Sequence, residues 1–252
     1  MKTNAKVHLL RFQSQLTLPS RTVHVWRTEL DGRNGETAAF QVLSSDERTR
    51  ALQFRFDRDR RRFTVTRATL RLLLSMYVAI PADQIVFVYG ASGKPELISG
   101  GLQFNLSHSG ELAVIAISAN TPVGVDIEQL SRIIDCEALI ASFASPRERD
   151  AFAALPQQDR RLAFFHWWTR KEAVIKATGV GHSQPLDSFD VPILFSDATM
   201  PVFWSIENEL KLTLEDISLP SDYIGSLAIC GEACSIEFGQ TNGLDFFQRF
   251  SS

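Results

Sequence analysis

The sequence predicts an α+β fold made of two similar halves, on three observations. Two stretches match at an offset of 100 residues: Ser45 opens SDERTR and Asp59-Arg60-Arg61 follows fourteen positions on, while Ser145 opens SPRERD and Asp159-Arg160-Arg161 follows at the same distance. Each stretch runs into a long apolar-periodic helix, over residues 63–79 and 162–177. The strand signals around these helices are joined mostly by hairpin-type turns, which favours α+β over a doubly wound sheet. Agreement of spacing, composition and predicted structure points to a duplicated half-chain. The halves divide between Ser118 and Pro122, giving residues 1–119 and 120–252.

The elements follow in order. Ser44 with Glu47, and Ser145 with Glu148, have capping-box spacing and predict a helix start near each serine. Residues 85–89 are β-branched and aromatic, bounded by Pro81 and by Gly90-Ala91-Ser92-Gly93, and predict a strand. Strands are also predicted over 104–106, 112–118 and 123–128, separated by Ser-Gly and Asn-Thr-Pro turns. In the second half they fall at 202–206, 210–214 and 223–230. Residues 239–252 give no clear signal.

Composition bounds the function. With 252 residues, 44% hydrophobic and 22% charged, the chain can bury a large core without disulfides or structural metal. A net charge of −3 argues against a general polyanion binder. Three cysteines, Cys136, Cys230 and Cys234, are too few for a disulfide framework and lack zinc-site spacing. No apolar run is long enough for a signal peptide or a membrane span, so a soluble cytoplasmic protein with no membrane partner is expected.

Candidate chemistry begins at Gly124-Val125-Asp126-Ile127-Glu128. On a strand Asp126 and Glu128 face the same way while Val125 and Ile127 pack inward. Two carboxylates on one face repel unless a cation or a shared proton relieves them, and magnesium favours such oxygen ligands; a solvated acidic face is the plainer alternative. Residues Phe165, Trp168, Glu172 and Lys176 form one stripe of the second long helix. Its other sides are apolar, so its charges call for partners. Glu172 as a metal ligand and Lys176 as a phosphate partner explain both charges; the competing reading is a simple Glu172–Lys176 salt bridge. In Phe104-Asn105-Leu106-Ser107-His108-Ser109-Gly110 a strand ends in a hydroxyl and an imidazole able to contact phosphate oxygens. Adjacent residues on a strand face opposite ways and no nucleophile elbow accompanies this Ser-His pair, which argues against acyl-enzyme chemistry. Gly93-Lys94-Pro95 puts a lysine in a rigid turn ahead of that strand. Between Arg48 and Arg71 stand nine arginines against two acids, which suits a solvated face, a nucleic-acid patch or a cofactor carrying several phosphates.

Together, GKP at 93–95, FNLSHSG at 104–110, GVDIE at 124–128 and WTRKEAVIKATGVG at 168–181, with a looser FRFDRDRRRF at 54–63, resemble the Sfp-type 4′-phosphopantetheinyl transferases. The resemblance spans about residues 45–190, and the Trp and Ala of WTRKEA resemble the branch of broader carrier specificity. It implies two α/β halves related by a pseudo-twofold axis, with coenzyme A in the cleft between them. It implies Mg2+, replaceable by Mn2+, on Asp126, Glu128 and Glu172. Arg50, Arg62, Lys94, Pro95, Ser107, His108, Asp126 and Lys176 would hold coenzyme A, with Lys176 and His108 also catalytic and Glu172 or Glu148 as the general base. The implied reaction moves 4′-phosphopantetheine to a serine of apo acyl or peptidyl carrier proteins, leaving adenosine 3′,5′-bisphosphate, in fatty-acid, polyketide or nonribosomal peptide synthesis. A monomer without a nucleic-acid partner is expected. Two other classes remain open: a non-catalytic module that grips carrier or coenzyme A, and a nucleic-acid binder using the arginine-rich stretch.

Overall fold

The computed structural model describes residues 9–10, 15–31, 36–90, 93–131, 133–193, 200–206, 208–231 and 234–241. Residues 242–252, most of the segment without a sequence signal, lie outside them. Eleven strands and six α-helices are described: β1 (Leu9–Leu10), β2 (Thr22–Glu29), α1 (Glu36–Val42), α2 (Ser45–Leu52), α3 (Asp57–Val78), β3 (Phe87–Tyr89), β4 (Pro95–Leu97), β5 (Gln103–Ser109), β6 (Leu112–Ser118), β7 (Val123–Gln129), α4 (Cys136–Phe143), α5 (Pro146–Ala153), α6 (Gln157–Thr178), β8 (Met200–Ile206), β9 (Asn208–Asp216), β10 (Tyr223–Cys230) and β11 (Ser235–Thr241). None of the described helices is long and apolar enough to cross a membrane.

The strands make a five-stranded sheet in the order β1-β11-β2-β6-β5, a four-stranded sheet β7-β10-β9-β8, and the β3–β4 hairpin. Alternation along the strands sorts side chains into layers. Ala113, Ile115 and Ile117 of β6 pack with α3 residues such as Leu70 and Leu73. Leu112, Val114 and Ala116 meet Val125, Ile127 and Leu227 of the second sheet. Ala228 and Leu214 on the far side of that sheet pack with Phe164 and Val174 of α6. The result is four layers, helix–sheet–sheet–helix. The valines and isoleucine of β7 face the first sheet, so Gly124, Asp126 and Glu128 face α6.

The sequence repeat appears in the elements themselves. Helices α3 and α6 have the same length and start 100 residues apart, and both end on a left-handed residue, Ala79 (φ 55°) and Gly179 (φ 72°). The short helix before each places a buried glutamate at its third position. Glu47 accepts the Ser44 N–H at 3.1 Å and Glu148 the Ser145 N–H at 2.9 Å. A cation from the long helix meets each: Arg71 lies 2.6 Å from Glu47, and Lys171 lies 2.8 Å from Glu148. Strand β11 pairs in parallel with β2 inside the first sheet.

One glycine sets how closely sheet and helix meet. A Cβ on Gly124 would lie 2.1 Å from the Ala173 carbonyl oxygen and 2.3 Å from the Ala177 nitrogen. Both obstacles are backbone, so neither can turn aside. The expected cost of Gly124→Ala is about 3 kcal/mol, at the upper end for overpacking. Thermal unfolding followed by circular dichroism should show the midpoint lower by roughly 6–12 °C, and an unchanged midpoint would contradict this packing.

Candidate active site

The close approach at Gly124 brings the acids of β7 to the polar stripe of α6. Asp126 is buried, and its Oδ1 accepts the Lys176 ammonium at 2.6 Å and the Ser107 hydroxyl at 2.8 Å. Its Oδ2 is buried with no hydrogen-bond partner. Such an orphaned acceptor is costly unless something positive reaches it. Burial pushes the Asp126 carboxyl above its ordinary range, and the neighbouring Lys176 pulls the other way. Two residues along, Glu128 accepts the Ser109 hydroxyl on Oε2 at 2.7 Å. Glu172 stands one turn before Lys176 on the same face of α6 and is half-buried. Of the stripe forecast from sequence, Trp168, Glu172 and Lys176 are partly open, whereas Phe165 is buried.

Acceptor-only carboxylate oxygens beside an orphaned buried oxygen suit a hard divalent cation. Among the described residues no three His, Cys, Asp or Glu side chains are gathered into a ready-made metal centre. Lys176 supplies positive charge to Asp126 instead.

Beside this face a cavity of about 570 Å³ opens in the first half, lined among others by Arg50, Phe63, Tyr89, Pro95, Asn105 and His108. That volume lies in the range of small-molecule sites. The Arg50 guanidinium sits 5.3 Å from the centre of the Phe63 ring, and both residues line the cavity. His108 is exposed on the cavity side of β5. Its pKa lies below the ordinary histidine value, through desolvation first and then through the cations Lys176 and Arg62.

Several of the sequence-predicted site residues have partners inside the fold. The Glu148 carboxylate is buried and accepts the Ser145 and Val191 N–H groups as well as Lys171. The Ser107 hydroxyl donates to Asp126. The Lys94 ammonium is not on the cavity wall. It donates to the Lys176 carbonyl at 2.7 Å and the Val123 carbonyl at 3.1 Å, joining the turn before β4 to the end of α6. A cation there also suits the negative end of the helix dipole. Arg62 pairs with Glu111, while its Nε is buried without a partner. Most of the arginine-rich stretch is spent internally: Arg67 and Arg71 bind Glu47, Arg60 and Arg61 pair with Glu36, and Arg48 donates to the Phe40 and Gln41 carbonyls.

Sequence reasoning passed over Asn105 and Ser109. Their signal was the alternation Asn105, Ser107, Ser109: three polar side chains on one face of a strand, set between Phe104, Leu106 and His108. Residues of that kind and spacing point at a partner that is not water.

The family model for the 4′-phosphopantetheinyl transferase superfamily matches residues 122–228, and the model for the 4′-phosphopantetheinyl transferase N-terminal region matches residues 32–120. The chain belongs to the 4′-phosphopantetheinyl transferase superfamily. It is similar to the 4′-phosphopantetheinyl transferase HetI of a Nostoc species, with 42% identity over 171 residues, covering 66% of this chain and 72% of that protein. It is also similar to the 4′-phosphopantetheinyl transferase psf-1 of Bacillus pumilus, with 33% identity over 205 residues, covering 80% and 85% of the two chains. Among solved structures, the holo-[acyl-carrier-protein] synthase of Thermotoga maritima matches at 18% identity with a TM-score of 0.31, over 44% of this chain and 63% of that one.

Proposed function

We propose that this transferase moves the 4′-phosphopantetheine of coenzyme A to a serine of an apo acyl or peptidyl carrier protein, using the face shared by β7 and α6. The observation that carries this reading is Asp126, with one oxygen on Lys176 and the other buried and unpartnered, beside a cavity of nucleotide size. The cavity, with Arg50, Pro95 and His108 on its wall, takes the nucleotide end of coenzyme A. The two halves act as pseudo-twofold partners, with the substrate between them.

Asp126, Glu128 and Glu172 would hold Mg2+, or Mn2+ in its place. When bound, the ion neutralises phosphate oxygens and stabilises the charge that develops on them. The chain's own residues do the rest. The carrier serine oxygen forms a bond to the phosphorus that bears pantetheine, and the bond from that phosphorus to the oxygen of adenosine 3′,5′-bisphosphate breaks. Lys176, partly exposed beside Asp126, turns its ammonium toward the leaving phosphate, where charge accumulates. Glu172 is the remaining carboxylate able to take the serine proton. His108, on the cavity wall, can donate an N–H to a phosphate oxygen. Positioning supplies most of the rate, since neither reactant is a strong nucleophile.

Intact-mass spectrometry tests the reading. An apo acyl carrier protein incubated with enzyme, coenzyme A and Mg2+ should gain the mass of phosphopantetheine, and EDTA should abolish the gain. Transfer that persists in EDTA would overturn the metal assignment. No gain on any of several acyl and peptidyl carriers would favour the binding-module alternative.

A further inference from the structure

The outer strands of the two sheets, β5 and β7, lie side by side without sharing a sheet. Side chains take the place of a backbone ladder. The Asn105 Oδ1 accepts the Val125 N–H at 2.9 Å, the Ser107 Oγ accepts the Ile127 N–H at 3.3 Å, and the Ser109 Oγ accepts the Gln129 N–H at 3.0 Å. Every second residue of β5 thus satisfies every second donor of β7, which matches the period of both strands. The two serines also return a proton, Ser107 to Asp126 and Ser109 to Glu128. Beyond Ser109 the seam closes over Gly110. A Cβ there would lie 2.3 Å from the Gln129 Oε1 and 2.6 Å from the Tyr223 hydroxyl oxygen. That hydroxyl accepts the Glu111 N–H at 3.1 Å.

The opposite face of β5 carries Leu106 and His108 on the cavity wall, and Asn105 touches both cavity and seam. One strand therefore ties the cavity directly to the strand bearing the acids. We propose that Ser109 is a positioning residue for the transfer: it fixes the rotamer of Glu128 and the register of β7 against β5, so that the acidic face meets phosphates delivered from the cavity. The hydroxyl cannot rotate freely, because it accepts from Gln129 while donating to Glu128. This inference rests on the assignment of Glu128 as a metal-holding carboxylate.

The test is Mn2+ binding in the presence of coenzyme A, followed by electron paramagnetic resonance, for wild type, Ser109→Ala and Ser109→Cys. Calorimetry of adenosine 3′,5′-bisphosphate binding without metal accompanies it. Removing a partner that orients a metal ligand weakens binding about 10-fold or more, so Ser109→Ala should lose roughly that much Mn2+ affinity. Nucleotide affinity should stay within about twofold, because Ser109 does not line the cavity. Cysteine keeps the size with a weaker donor, so it should fall between the two and serves if the alanine variant does not fold. Mn2+ affinity equal to wild type in a folded variant, or an equal loss of nucleotide and Mn2+ affinity, would overturn the proposal. Failure of the wild type to bind Mn2+ would overturn the metal assignment beneath it.

Discussion

Asp126→Ala should reduce transfer by roughly a thousandfold or more while leaving the fold intact. Its carboxylate does three things at once: it accepts Lys176, accepts Ser107, and presents a buried oxygen with no partner. Losing charge stabilisation worth several kcal/mol at a phosphoryl centre corresponds to a loss of that size. The fold should survive because Lys176 is partly exposed and can turn to water once its partner is gone. Asp126→Asn, which keeps the shape and accepts hydrogen bonds without the charge, should recover little. Steady-state transfer rates together with a circular dichroism melt check both halves of the expectation. Activity within tenfold of wild type would remove Asp126 from the mechanism.

Glu148→Ala should do the opposite, costing stability rather than chemistry. Glu148 accepts Lys171, which has no exposed side-chain surface, together with two backbone N–H groups. Removing one partner of a buried pair leaves the other charged in a dry interior, a change worth about 3–5 kcal/mol. Lys171 keeps the Leu186 and Phe189 carbonyls and stands 4.1 Å from the centre of the Phe189 ring, which tempers the loss. Its pKa already lies below the ordinary lysine value through desolvation, so part of the response is deprotonation of the amine. The unfolding midpoint should fall by roughly 6–20 °C, with turnover per folded molecule changed less than about threefold. A stable Glu148→Ala protein with abolished turnover would instead support Glu148 as the general base.

The contrast between these two acids marks what the chain reveals on its own. Asp126 was legible because strand periodicity alone puts it on one face with Glu128. Glu148 was legible as a capping residue, and the cap is present, but nothing in the sequence says that Lys171 approaches it from another helix. Strands β6 and β10 fall where alternating and β-branched residues place them. Helix α3 starts six residues before its apolar pattern does, because its first turn, Asp57-Arg58-Asp59-Arg60, is solvated and carries no periodic signal. Strand β2 was missed: it is buried on both faces and polar at Thr22, His24 and Thr28, so it shows no clean alternation. Strand β11 pairs with β2 across more than 200 residues of chain, a partnership that local pattern cannot report. The seam of Asn105, Ser107 and Ser109 was visible as polar alternation, but its partners were not.

A divalent cation held by the β7–α6 face against the phosphates of coenzyme A would lie within magnetic coupling range of phosphorus. Electron–nuclear double resonance on Mn2+-loaded enzyme with coenzyme A measures this directly through coupling of the metal electrons to phosphorus. Wild type should show a phosphorus coupling that disappears in Asp126→Ala. Bound Mn2+ without phosphorus coupling in wild type, or a coupling unchanged in Asp126→Ala, would contradict it.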